Sequence, residues 1–295
     1  MRIFSLIGLF FVASLFSGCE SQPVPVEQVP PLPDMALTLP FKAIEADDPF
    51  SLRLFFALEV ENMPISGLYA KIASWRVEID GEDATAAFQL RYPQGGFLFE
   101  PSNPLRLDMD IRALAAKGLA PKDNYSVTLI TELEFDPSAV PQVSPPDMVL
   151  PRIDVRGIAA FPGVRPPLFS ITEIAIIQAE LINTRFRVGL RIDNPNPFPL
   201  ELSSFSYSLY GNGRLWADGI ERNVLTVNEN STLSGNIFLM MNFMGMSRIL
   251  LDQIIHLQDV SYRFTGNVQV TTGIEYLPVF SDCFELSGFS KVLDR

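Results

Sequence analysis

Apolar side chains recur at every second position through Phe186, Val188, Leu190 and Ile192, with Arg185, Arg187, Gly189 and Arg191 filling the positions between. That period puts the apolar groups on one face and predicts a half-buried β-strand. The strand runs into Asn194-Pro195-Asn196-Pro197-Phe198-Pro199. Proline lacks a backbone N–H and holds φ near about −65°, and each residue before a proline is driven to extended geometry, so pairing stops there. Asn194 and Asn196 can bond back to neighbouring backbone groups, so the tetrapeptide reads as a rigid, structural exit from the strand.

The same alternation marks Leu52, Leu54, Phe56, Leu58 and Val60, and that run ends in Val60-Glu61-Asn62-Met63-Pro64, a degraded copy of the same exit. Trp75, Val77, Ile79 and Gly81 stand 130 positions before Phe205, Tyr207, Leu209 and Gly211. Tyr125-Ser126-Val127-Thr128-Leu129 resembles Val260-Ser261-Tyr262-Arg263-Phe264, and the stretch from Ile153 to Ile158 resembles that from Phe284 to Phe289. The chain thus contains two tandem copies, residues 36–161 and 168–295, separated by Pro162-Gly163-Val164-Arg165-Pro166-Pro167. Each copy has one helical stretch: Ile111 to Lys117 in the first, and Met246, Ile249, Leu250, Gln253, Ile254 and Leu257 in the second. Short alternating strands with turns between them predict an all-β fold of two tandem antiparallel sandwiches, each with one short helix.

Hydrophobic residues make up 47% of the 295, enough for packed cores and incompatible with a disordered chain. The net charge of −12, with no Lys/Arg cluster to interrupt it, argues against nucleic acid as a partner. At the N-terminus Arg2 precedes an apolar run from Ile3 to Phe16 and then Ser17-Gly18-Cys19. The run is shorter than the roughly 20 residues needed to span a bilayer but suits a secretory signal. Small residues before a cysteine resemble a bacterial lipobox, which gives residues 1–18 as a signal peptide and Cys19 as the lipidated residue. The alternatives are a signal peptide cut elsewhere or an uncleaved anchor. Residues 19–35, rich in proline, form an extended tether. Glu20 follows the cysteine, which favours the periplasmic side of an outer membrane in a Gram-negative cell. Cys283 is then left as a small buried hydrophobe, the rival being a Cys19–Cys283 disulfide.

Catalytic and metal-binding patterns do not assemble. His256, the single histidine, sits on the second helical stretch without a second His or a cysteine pair. Asp47-Asp48 and Asp108/Asp110 read as solvated carboxylates, and Met240, Met241, Met244 and Met246 read as core filling. Gly211-Asn212-Gly213 is a hairpin turn, since Asn-Gly suits a type I′ geometry. The sequence gives no reason to expect an enzyme, a cofactor or a metal.

An alternating strand ending in Asp193-Asn194-Pro195-Asn196-Pro197-Phe198-Pro199, followed by Leu202, Phe205, Tyr207, Leu209 and Gly211, resembles the late embryogenesis abundant group 2 domain, also called the water stress and hypersensitive response domain. The resemblance runs from about Ile171 to the C-terminus, with the first copy a degenerate version. It implies an immunoglobulin-like or fibronectin-III-like sandwich. It also implies a non-enzymatic, stress-protective role, here as a tandem-domain bacterial lipoprotein held at the membrane by its N-terminal lipid. The alternative is an envelope binding module that carries a lipid or other apolar ligand or docks a protein partner.

Overall fold

Alternating burial along nearly every strand builds the molecule as two tandem β-sandwiches. The computed structural model describes residues 36–61, 69–93, 95–98, 100, 102–119, 121–136, 152–178, 183–242, 260–290 and 293–294. The first sandwich contains β1 (Ala36–Thr38), β2 (Phe41–Asp48), β3 (Ser51–Glu61), β4 (Tyr69–Ile79), β5 (Glu82–Asp83), β6 (Phe88–Arg91), β7 (Phe97–Leu98), β8 (Ser102–Asp110), α1 (Ile111–Ala116), β9 (Asn124–Asp136) and β10 (Ile153–Pro162). The second contains β11 (Leu168–Gln178), β12 (Asn183–Asp193), β13 (Leu200–Gly211), β14 (Arg214–Glu221), β15 (Leu225–Val227), β16 (Thr232–Asn242), β17 (Val260–Ile274), β18 (Leu277–Ser290) and β19 (Leu293–Asp294).

Sheet order is β1-β3-β8-β6 facing β10-β9-β4-β5 in the first sandwich, and β16-β12-β11-β19 facing β14-β13-β17-β18 in the second. β2 also pairs with β3, β7 with β4 and β15 with β13. All pairings are antiparallel except the short β11–β19 contact. Leu52, Leu54, Phe56 and Leu58 of β3 face Val77, Leu129 and Leu133 in one core, while Phe186, Val188, Leu190 and Ile192 of β12 meet Leu209, Phe264 and Val268 in the other.

α1 starts where expected, because Asp110 caps it by accepting from the Arg112 and Ala113 N–H groups at 2.8 and 3.2 Å. It buries Ile111 and Leu114 and stops before Gly118, whose φ of 82° ends the turn. The second helical stretch, with His256, Met244 and Met246, lies outside the described residues. So do residues 1–35, including Cys19 and the tether.

Strand pairing corrects the sequence alignment of the copies by two residues. Val77 lies opposite Leu129 and Leu209 opposite Phe264, so β4 matches β13 at an offset of 132 instead of 130. The turns agree, for Asp80-Gly81 joins Ile79 to Glu82 as Asn212-Gly213 joins Gly211 to Arg214, all four turn residues having positive φ. Likewise Gly157 pairs with Leu129 and Leu286 with Phe264, which aligns Gly157 with Leu286 and not with Gly288. A slip of two keeps every side chain on its own face, so alternation alone cannot detect it.

Two further expectations are corrected. Cys283 is exposed, on the solvent face of β18, where Sγ accepts from the Asn267 amide at 3.1 Å. β18 buries Phe280 on its other face, so a position three residues on falls outside. Met240 is 65% exposed for the same reason, its neighbour Leu239 having taken the inward place on β16.

Candidate functional site

The Asn-Pro-Asn-Pro exit lies where the second sandwich meets the link from the first. As β12 ends, the Asn194 N–H donates to the Ser231 carbonyl and the Asn230 N–H to that of Asn196, both at 2.9 Å, so the loop before β16 is held against the motif. Asn194 is 2% exposed and Asn196 is fully buried. The Asn194 amide donates to the carbonyls of Phe198 (2.8 Å), Asn228 (2.9 Å) and Val227 (3.2 Å). Its Oδ1 accepts from both the backbone N–H and the side-chain amide of Asn196, each at 2.9 Å.

Asn196 then reaches across to the link. Its Oδ1 accepts from the Arg165 N–H and its Nδ2 donates to the Arg165 carbonyl, both at 2.8 Å, so the side chain pairs with a backbone as a neighbouring strand would. The Arg165 guanidinium bonds Asp123 of the first sandwich and the Pro195 carbonyl of the second. Beside it Gly163 N–H donates to the Asp123 carbonyl at 2.8 Å, and the Tyr276 hydroxyl donates to the Pro162 carbonyl. Phe161 stacks on Tyr125 at 5.6 Å and meets the edge of Tyr276 at 6.1 Å. Burial pushes the Tyr276 and Tyr125 hydroxyls well above and above the usual tyrosine range, respectively. The space left between Leu52, Tyr125, Val164 and Tyr276 is about 10 Å³, at most one water. All the amide groups of Asn194 and Asn196 are spent within the protein, on backbone or on each other, and the arrangement is a joint.

The carboxylates have local duties as well. Asp48 accepts from the Phe50 and Ser51 N–H groups at 2.7 and 2.9 Å, and Asp47 pairs with Arg53 at 2.6 Å. Partial burial pushes the Asp108 carboxyl up, but bonds from Arg106 (2.6 Å) and Arg91 (3.3 Å) outweigh this and hold it below the usual range. Among the described residues no three His, Cys, Asp or Glu side chains converge as metal ligands.

Asp282 differs. It is half-buried on the inward side of β18, opposite fully buried Val268, with no ion pair among the described residues. Burial pushes its carboxyl above the usual range, offset in part by a bond from the Cys283 N–H. The folded protein therefore keeps a proton that the unfolded chain releases near its ordinary value of about 3.9, and stability falls as pH rises through that window. Asp282→Asn should raise the melting temperature at pH 7 and leave it nearly unchanged at pH 3. An equal shift at both pH values, read by differential scanning fluorimetry, would show that burial of the charge is not the cause.

Arg165 and Tyr276 were not singled out by the sequence. The one cue was a cation inside an otherwise apolar Pro-Gly-Val-Pro-Pro link.

The fold is that of a tandem β-sandwich protein whose motif asparagine Asn196 bonds to the link between the sandwiches. Residues 189–283, within the second sandwich, match the family described as late embryogenesis abundant protein. No curated protein sequence matches the chain. Among solved structures, a protein from Archaeoglobus fulgidus is 18% identical with a TM-score of 0.27, the match covering 44% of this chain and 99% of that one. A protein of unknown function from Porphyromonas gingivalis W83 is 12% identical (TM-score 0.22), with 85% and 98% covered. A glycosyl hydrolase family 2 member from Bacteroides cellulosilyticus DSM 14838 is 7% identical (TM-score 0.27), with 82% of this chain but only 31% of the hydrolase covered. These likenesses are too loose to carry a function.

Proposed function

We propose that this is a lipid-anchored, non-enzymatic envelope protein that protects other macromolecules by surface contact during stress. The late embryogenesis abundant domain at residues 189–283 carries the reading. Two features support contact at the surface over carriage in the interior. Among the described residues the large core side chains Phe56, Leu107, Phe186 and Phe264 are fully or almost fully buried. The larger depressions among the described residues are open troughs, one of about 560 Å³ over Ser206, Asp218 and Asn267, the other of about 420 Å³ over Arg53, Gln89 and Asp108. No helix among the described residues is long and apolar enough to cross a membrane. Attachment in this reading falls to acylated Cys19, on the periplasmic side of an outer membrane if the cell is Gram-negative.

Cys19→Ser should move the protein out of the detergent phase on temperature-induced phase separation, or leave a retained precursor. Unchanged partition would remove the anchor from the account. The same variant, added to a drying-sensitive reporter enzyme, should preserve more of its activity on rehydration than an equal mass of an unrelated globular protein. Equal recovery would remove the protective role.

A further inference from the structure

The second sandwich leaves one sheet edge without the usual safeguards. β16 is outermost in its sheet, and among the described residues no strand pairs along its far side. Its neighbour in the facing sheet, β14, bonds only to β13. An open edge presents a row of N–H and C=O groups to any extended chain, and proteins ordinarily blunt it with a charge, a proline, a bulge or shortness.

Thr232–Asn242 has none of these: it is 11 residues long, holds no charged residue and no proline, and pairs with β12 without a register shift. The other long edges are guarded. β10 carries Asp154, Arg156 and Pro162, and β14 carries Arg214, Asp218 and Glu221 with a register shift against β13. β18 carries Pro278, Asp282 and Glu285 and likewise shifts register.

The solvent face beside this edge has a chemical character too. Phe238 and Met240 are 54% and 65% exposed, and their cross-strand neighbours on β12 are Arg187 and Arg185; Arg191 lies opposite Ser234. Glu173 holds Arg187 at 2.7 Å and Asp193 holds Arg191 at 3.0 Å, while Arg185 has no ion pair among the described residues. In a protein of net charge −12 this strip offers cations next to apolar groups.

We infer that β16 docks an extended segment of another polypeptide, one that alternates apolar with acidic side chains and adds to the sheet as a further strand. Backbone pairing holds it; its side chains alternate between the two faces, so its carboxylates share the solvent face with Arg185 and Arg187, beside Phe238 and Met240, while its apolar groups turn inward on the side of Leu239. The added strand would lie about 10 Å from β12, two strand spacings, which an arginine and a glutamate can bridge between them. This rests on the surface-contact reading and names the partner of that surface: the extended chain that an unfolding protein exposes.

Two labelled peptides of about nine residues, matched to the strand, alternate valine with glutamate or with lysine. Added to the full chain at low salt, the glutamate peptide should bind roughly tenfold more tightly by fluorescence anisotropy. It should also slow hydrogen exchange at the β16 amides. Arg185→Glu, at an exposed position, should erase the preference, and Phe238→Asp with Met240→Asp should abolish binding of the glutamate peptide with an unchanged circular dichroism spectrum. Equal binding of the two peptides would overturn the inference. So would protection away from β16, or a homodimer in sedimentation whose own pairing protects β16 without peptide. Should the double aspartate variant still protect the drying reporter, the docking edge fails and the surface-contact reading stands. Should the unaltered edge protect no reporter, that reading fails whatever the peptides do.

Discussion

Asn196→Ala should lower the stability of the second sandwich by about 2–5 kcal/mol, although the side chain lost is small and polar. The substitution strands the Arg165 N–H and C=O, which Asn196 alone satisfies from a fully buried position. A buried group left without its partner costs about 1–3 kcal/mol, and the two stranded here are part-buried, which lowers the upper end of their sum. The neighbouring Asn194 Oδ1 also drops from two donors to one, keeping the Asn196 N–H. For a domain of this size the melting temperature should fall by on the order of 10 °C, and calorimetry would show it. A change of a degree or less would mean that the link is held by Arg165, Phe161 and Tyr276 without the asparagine.

Phe186→Ala should cost about as much or more, roughly 3–5 kcal/mol, by a different mechanism. Phe186 is fully buried, stacks on Trp216 with ring centroids 5.6 Å apart, and lies opposite Leu239 on β16. β12 is held between β11 and β16 by sheet pairing, and Trp216 is seated on the backbone of Gly211, where even a methyl group would lie 1.8 Å from the ring, so the surroundings are set against closing the gap. The cavity persists and its full cost is felt. Chemical denaturation should show a lower midpoint for the second sandwich with the first unchanged. A loss below about 1 kcal/mol would mean that the surrounding strands close the gap.

The alternation of Leu52 to Leu58 and of Phe186 to Ile192 was enough to read sandwiches and inward faces from the sequence, and Asn212-Gly213 to read one hairpin turn. Register was not legible, because strand periodicity is two and the copies align equally well when slipped by two. Cys283 and Met240 were misplaced because hydrophobic character alone does not decide between the two faces of a strand; their neighbours Phe280 and Leu239 had already filled the inward places. The motif was legible as a stop to pairing, since proline chemistry is local. Its partner was not, for Arg165 lies 31 residues away in the link and meets Asn196 only through the tertiary fold. The open edge at β16 was equally hidden: an uncharged strand reads as a central one until topology places it outermost.

Whether the Asn-Pro-Asn-Pro block is a joint or a ligand site is tested most directly by hydrogen exchange at the Arg165 amide of the full chain, compared with the same amide in Asn196→Ala. A joint predicts that in the unaltered protein this amide exchanges as slowly as the core of β12, through opening of the whole sandwich, and that it exchanges orders of magnitude faster in the variant. An Arg165 amide that exchanges freely in both proteins would contradict the account and leave the two buried asparagines to be explained by something they bind.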